Sequence, residues 1–247
     1  MAYEGWTKPK FAIFDYGETL AHEADFDPRA GFAAMLPHAA RNPQGIDADS
    51  LFAEFQDCFR EMRLRAHAIG AELPNRARWR WLFDYYDLEF DLTGDELETV
   101  FWDAAAPCSP TPGIRELLSL LRASGIGTGV VSNMGFAGSV LRHRLARLFP
   151  EHSFQFVLSS ADYVMRKPNP RLFQLALKKA GCRAEETWFL GDTLCADIAG
   201  ADAAGLTAVY YDRDLGCVYR ENPPVDPMPR CIRVTDWADL YPFFRGE

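Results

Sequence analysis

Residues 10–20, KFAIFDYGETL, decide the fold. The apolar residues Phe11 to Phe14 run straight into Asp15, and a turn carrying Gly17, Glu18 and Thr19 follows at once. A short continuous apolar run bounded by turn residues is consistent with a buried strand. An aspartate where such a strand stops is either ordinary turn chemistry or a reactive carboxylate held at the strand's end. The rest of the chain must choose between them.

From about residue 110 onward, short β-rich runs alternate with helical patterns. GIGTGVVSN (125–133), FVLSS (156–160), TWFLGD (187–192) and TAVYYD (207–212) read as strands. GIRELLSLLRAS (113–124), SVLRHRLARLF (139–149), PRLFQLALKKAG (170–181) and CADIAGADAAG (195–205) read as the helices between them. Strands alternating with helices predict parallel pairing through right-handed crossovers. The expected fold is α/β, a doubly wound, Rossmann-like parallel sheet whose first strand is KFAIFD.

Residues 21–108 have a different character. Leu51, Phe55, Cys58, Phe59 and Met62 recur at three- and four-residue spacing, the stripe of an amphipathic helix. Asp49 or Ser50 is placed to cap it. ARWRWLFDYYDLEF (77–90) and TGDELETVFWDAA (93–105) also read as helical, the second opening with Thr93 and Glu96 at capping-box spacing. The expected division is a discontinuous core of residues 1–20 and 109–247, with an inserted helical cap at 21–108. The insert's aromatic residues read as packing. Its arginines, Arg60, Arg63, Arg65, Arg76, Arg78 and Arg80, read as a solvated face with stems on aromatics, or as a source of one side chain that reaches the cleft to read a second anionic group.

The composition is that of a globular protein, with 48% apolar and 25% charged residues in 247. A formal net charge of −9 argues against nucleic acid as a general partner, and leaves room for a small anionic substrate. Six cysteines without CxxC spacing read as reduced thiols, most of them buried or incidental. MAYEGWTKPK lacks the apolar core of a signal peptide, and no run approaches the ~18 apolar residues of a membrane span. The expectation is a cytoplasmic monomer or homodimer with no membrane partner.

Ligands of doubly wound sheets bind at the carboxyl ends of the strands. There the expected strands deliver Asp15 with Gly17 and Thr19, then Ser132 and Asn133, then Arg166 and Lys167, then Asp192 with Asp197 close behind. Carboxylates, a hydroxyl and a lysine are what an Mg²⁺-assisted phosphoryl transfer needs.

The ordered set resembles the haloacid dehalogenase (HAD) superfamily, in the subfamily with a helical cap inserted after the first motif. FDYGETL is similar to its first motif, DxDxT; VVSN, RKPNP and GDTLCAD are similar to the second, third and fourth. The resemblance implies a phosphohydrolase acting on a small phosphorylated metabolite. It implies that Asp15 attacks phosphorus and forms an aspartyl-phosphate. Mg²⁺ would be held by the Asp15 and Asp192 carboxylates and the Gly17 carbonyl, with Asp197 supporting them. Thr19, Ser132 and Asn133 would bind the substrate, and Lys167 would neutralise charge on nucleophile and phosphate.

One position departs from the pattern. Phosphatases of the superfamily carry a second aspartate two residues after the nucleophile, as acid for the leaving alcohol; here Gly17 stands in its place. Glu18, His22 or Glu23 replaces that acid, or the leaving group needs no proton, or the domain binds a phosphorylated ligand without turning it over. A metal-independent haloacid dehalogenase also lacks the aspartate, but the two acids of GDTLCAD have no use in a metal-free site. A phosphonatase needs a cap lysine, and residues 21–108 contain none.

Overall fold

The apolar runs pair as their alternation with helices predicts. In the computed structural model, which describes residues 5–217 and 222–246, six strands form one sheet: β1 (Phe11–Phe14), β2 (Gly127–Ser132), β3 (Phe156–Ser159), β4 (Thr187–Gly191), β5 (Thr207–Tyr211) and β6 (Ile232–Val234). Their order is β6-β5-β4-β1-β2-β3, and every neighbouring pair is parallel. The first residues of MAYEGWTKPK, 1–4, lie outside the described residues. The order reverses between β1 and β4, which puts the crevice of a doubly wound sheet beside Asp15.

Both faces of the sheet are covered, which explains why its strands are apolar throughout rather than alternating. Ala12, Phe14, Val130, Leu190 and Val209 belong to the core on one face. Phe11, Ile13, Val131, Phe189 and Ala208 belong to the core on the other. Between β1 and β2 run α1 (Pro28–Met35), α2 (Ala48–Ala68), α3 (Asn75–Tyr86) and α4 (Gly94–Ala105), followed by α5 (Ile114–Ala123). Helices α6 (Gly138–Leu148) and α7 (Pro170–Ala180) come later in the chain. Local chemistry sets their ends. The Thr93–Glu96 capping box closes the start of α4. Pro170 sits in the first turn of α7 with Asn169 as its cap, and Gly181 ends that helix in the left-handed conformation.

The chain leaves and re-enters the sheet region at adjacent points. Ala21–His22 pairs antiparallel with Ser109–Pro110. Thr111 Oγ1 donates to the Thr19 carbonyl at 2.6 Å, and Trp237 Nε1 donates to Thr111 Oγ1 at 3.1 Å. Helices α1 and α4 pack on each other through Phe32 and Phe101, whose rings stand edge to face at 5.1 Å.

Several local expectations are corrected. The cap of α2 is Asp47, whose carboxylate accepts from the Ser50 N–H at 2.8 Å; Asp49 lies inside the first turn. Leu51 and Phe59 of the expected stripe are buried, but Met62 is 52% exposed and nearby Leu64 is 53% exposed, so the stripe does not stay covered to the end of α2. Helix α3 stops at Asp87, in left-handed backbone, and a short ribbon of Ala39–Arg41 with Glu89–Phe90 follows where helix was expected. The segment 195–205 is not one helix: Leu194–Ile198 forms a π-type turn, and Ala199–Ala203 a short helix behind it. None of the six cysteines is fully buried, and Cys195 is exposed. Among the described residues no helix is long and apolar enough to cross a membrane.

Candidate active site

Asp15 follows β1 directly and is fixed by its backbone, its N–H donating to the Leu190 carbonyl of β4 at 2.9 Å. The residue is 4% exposed. Lys167 Nζ reaches it from the turn before α7, donating to Asp15 Oδ1 at 2.8 Å and to the Val131 carbonyl at 2.8 Å. The same ammonium lies 2.6 Å from Asp197 Oδ1. Asp197 is buried on the π-type turn, where its Oδ2 accepts from the Thr193 N–H at 3.1 Å. Gly191 makes that approach possible, since a Cβ there would stand 2.5 Å from the Asp197 Cβ. π-Type turns recur at functional sites, and here one turns Asp197 back over the end of β4.

Carboxylates outnumber the ammonium in this cluster. Burial opposes a charged Lys167, but Asp15 and Asp197 outweigh it and hold the ammonium above the ordinary lysine range. Burial and the like charge of Asp15 push Asp197 above the ordinary aspartate range, against the pull of Lys167. Asp15, Asp192 and Asp197 each offer an oxygen within 4.8 Å of the others. An all-oxygen carboxylate set of this kind suits a hard divalent cation.

Other expected residues take defined places. Ser132 ends β2, is buried and lines the central cavity. Asn133 clamps the main chain of Lys167, donating to its carbonyl at 2.9 Å and accepting from its N–H at 2.7 Å. Gly17 lines the cavity beside Asp15. Thr19 does not: it is wholly buried, and its hydroxyl donates to Asp192 Oδ1 at 3.3 Å, so it orients a carboxylate rather than meeting a ligand.

Of the three candidates to replace the absent acid, only Glu23 lines the cavity. Glu18 sits at positive φ with its carboxylate turned back, accepting from the Glu23 N–H at 3.1 Å and lying 2.9 Å from His22 Nδ1. Glu23 accepts from Tyr16 Oη at 2.9 Å and pairs with the buried Arg144 at 3.1 Å. Burial, with the Glu23 charge beside it, keeps the Tyr16 hydroxyl well above its ordinary range and therefore protonated.

Sequence reasoning missed three parts of the site. Arg144 of α6 joins Tyr16 and Glu23 to Asp103 at the end of α4, with its guanidinium 4.4 Å over the Trp102 ring. Asn222 holds the loop after β4, donating to the Asp192 carbonyl at 2.6 Å and accepting from the Leu194 N–H at 2.8 Å. Glu72, on the connection between α2 and α3, receives Arg166 and the Ser160 hydroxyl. None carries a local motif.

A cavity of about 670 Å³ lies between the Asp15 cluster and the helices of residues 21–108. Asp15, Ser132 and Lys167 form one part of its wall, and Phe52, Phe55 and Trp79 form another. Sheet and site together define an α/β enzyme scaffold with a carboxylate–lysine centre at its strand ends. Residues 86–211 match the haloacid dehalogenase-like hydrolase family. The phosphoserine phosphatase of Thermus thermophilus is 32% identical over 91% of this chain and 81% of its own length. The ribulose-1,5-bisphosphate 5-phosphatase of Halopiger xanaduensis is 31% identical over 81% of this chain and 83% of its own. The solved 2-haloacid dehalogenase from Pseudomonas syringae superposes with a TM-score of 0.61 at 23% identity, over 96% of this chain and 98% of that one, a likeness of fold. The chain belongs to the haloacid dehalogenase-like hydrolase family and is a hydrolase.

Proposed function

We propose that the protein is an Mg²⁺-dependent phosphohydrolase acting on a small phosphorylated metabolite through an aspartyl-phosphate at Asp15. The observation that carries the reading is the buried cluster of Asp15, Lys167 and Asp197, with Asp192 alongside, beyond the carboxyl ends of β1 and β4. The phosphatase relatives support the substrate class.

Asp15 attacks phosphorus as the leaving oxygen departs, and water then cleaves the acyl phosphate to regenerate the carboxylate. Lys167 offsets negative charge on Asp15 and on the incoming phosphoryl group. The Ser132 hydroxyl donates to a phosphoryl oxygen, while Asn133 acts through Lys167, whose main chain it fixes. Asp15, Asp192 and the Gly17 carbonyl would hold Mg²⁺, with Asp197 supporting the set. When bound, the cation draws charge from the phosphoryl oxygens. Residues 21–108 act as a cap over the core of 1–20 and 109–247, a division supported by the paired crossing strands at 21–22 and 109–110.

Gly17 supplies no proton to a leaving alkoxide, and Glu23, the acid nearest in the chain that lines the cavity, is tied to Arg144. The reading therefore favours leaving groups that depart without protonation. The test is hydrolysis of para-nitrophenyl phosphate, whose leaving group needs little help. Turnover is expected with Mg²⁺, and is expected to vanish with a chelator and in Asp15→Asn. No turnover would leave a phosphate-binding domain as the surviving reading; turnover of this ester that persists in chelator would remove Mg²⁺ from the mechanism.

A further inference from the structure

The arginines of α2 and α3 divide by partner. Arg65 pairs with Glu61, Arg76 with Asp95 and Glu98, and Arg80 with Asp84. Arg60, Arg63 and Arg78 line the cavity instead, and among the described residues none of them forms an ion pair. Arg60 and Arg63 are exposed, at the mouth. Arg78 is only 6% exposed. Its guanidinium lies 4.6 Å over the Phe55 ring, its Nη2 donates to Asn75 Oδ1, and its buried Nε has no hydrogen-bond partner.

A buried guanidinium without a counter-ion is costly. Burial and the neighbouring Arg63 charge push Arg78 down to about 10, and only Glu72 pulls the other way. Glu72 is already engaged by Arg166, His67 and Ser160. The position of Arg78 is also enforced. The Asn75 N–H donates to the Gly135 carbonyl at 2.8 Å, and a Cβ on Gly135 would stand 2.7 Å from Asn75 Oδ1 and 3.2 Å from Arg78 Nη2. The loop that begins with Ser132 and Asn133 thus needs a glycine to admit this guanidinium.

We propose that Arg78, with Arg60 and Arg63 at the mouth, forms a second anion subsite, and that the molecule whose phosphate meets Asp15 carries a further anionic group, a carboxylate or a second phosphate. This rests on the phosphohydrolase reading and narrows its substrate class. Arg78 supplies planar paired donors in a desolvated pocket, where charge-assisted hydrogen bonds to carboxylate or phosphate are strong. Phe55 lies under the guanidinium, and Trp79 also lines the cavity, so the walls there are largely apolar.

Equilibrium binding separates this claim from turnover. Phenylphosphonate, 4-carboxyphenylphosphonate and 1,4-phenylenebisphosphonate are titrated calorimetrically into the wild type and Arg78→Met, with Mg²⁺ present. At least tenfold tighter binding of one dianionic probe over phenylphosphonate is expected in the wild type, with that preference lost in Arg78→Met. Which of the two binds better identifies the second group as carboxylate or phosphate. If Arg78→Met does not fold, the double change Arg60→Gln with Arg63→Gln, both on an exposed face, is expected to cut the preference several-fold. Equal affinity for all three probes in the wild type, or a preference that survives these changes, overturns the subsite. Discrimination among phosphonates with no turnover of para-nitrophenyl phosphate would keep the subsite and sink the hydrolytic reading.

Discussion

Gly17, two residues after the proposed nucleophile Asp15, offers no side-chain acid. A carboxylic acid two residues after the nucleophile would protonate the leaving oxygen, a contribution of ~10²–10⁴-fold in general acid catalysis. Gly17→Asp is therefore expected to raise kcat/KM for an alkyl phosphate such as glycerol phosphate by about 10²-fold, and to change an aryl phosphate much less. Parallel rates for the two leaving groups, before and after, would show that protonation is not what limits the reaction. Asp15, Ser132, Lys167 and Asp192 were legible in the sequence because each stands at the end of an apolar run or just before a helix. The correction to Thr19 was not, since its donation to Asp192 spans 173 residues of chain. Arg144 was hidden for the same reason: it meets Glu23 across 121 residues, and no spacing announces such a partner.

Among the elements, the connection between α2 and α3 is where the insert engages the loop that carries Lys167. Glu72 is buried there among His67, Ser160 and Arg166. Burial alone would raise its carboxyl, but the His67 and Arg166 contacts prevail and hold it at about 2, below an ordinary 4.5. A depressed carboxylate stabilises the fold above its ordinary value, and that contribution is lost as pH falls from about 4.5 towards 2. The loss amounts to about 3 kcal/mol. Glu72→Gln is expected to be less stable than the wild type at neutral pH and to show a flatter stability profile between pH 4.5 and 2, read by urea unfolding at each pH. Identical slopes for both proteins would remove Glu72 from the account. Three helices of the insert, α2, α3 and α4, were readable because amphipathic stripes and a capping box are local, whereas the short α1 (Pro28–Met35) was not read. Helix ends were less readable: the Asp47 cap and the stop at Asp87 depend on backbone angles that composition does not specify.

For the molecule as a whole, the proposed Mg²⁺ site at Asp15, Asp192 and Asp197 would couple metal binding to stability. Mg²⁺ at a hundred times its dissociation constant is expected to stabilise the folded state by about 2.7 kcal/mol. Thermal unfolding with and without Mg²⁺ measures it directly, and Asp192→Asn is expected to lose most of the rise in Tm. A Tm indifferent to Mg²⁺ in the wild type would remove the metal from the proposed mechanism.

The position of β1 has a consequence for how the chain is made. It is one of the two middle strands of the sheet and the first of the six to be synthesised, yet its neighbours are β2 and β4, both on the far side of the helical insert. The insert must be synthesised before β1 gains one partner, and most of the chain before it gains the second. Contacts this distant in sequence form slowly, because the chain between them must first be brought together. Asp15 is thus translated well before Lys167 and Asp197, the groups that gather round it, and its own N–H finds its partner only once Thr187–Gly191 lies against β1.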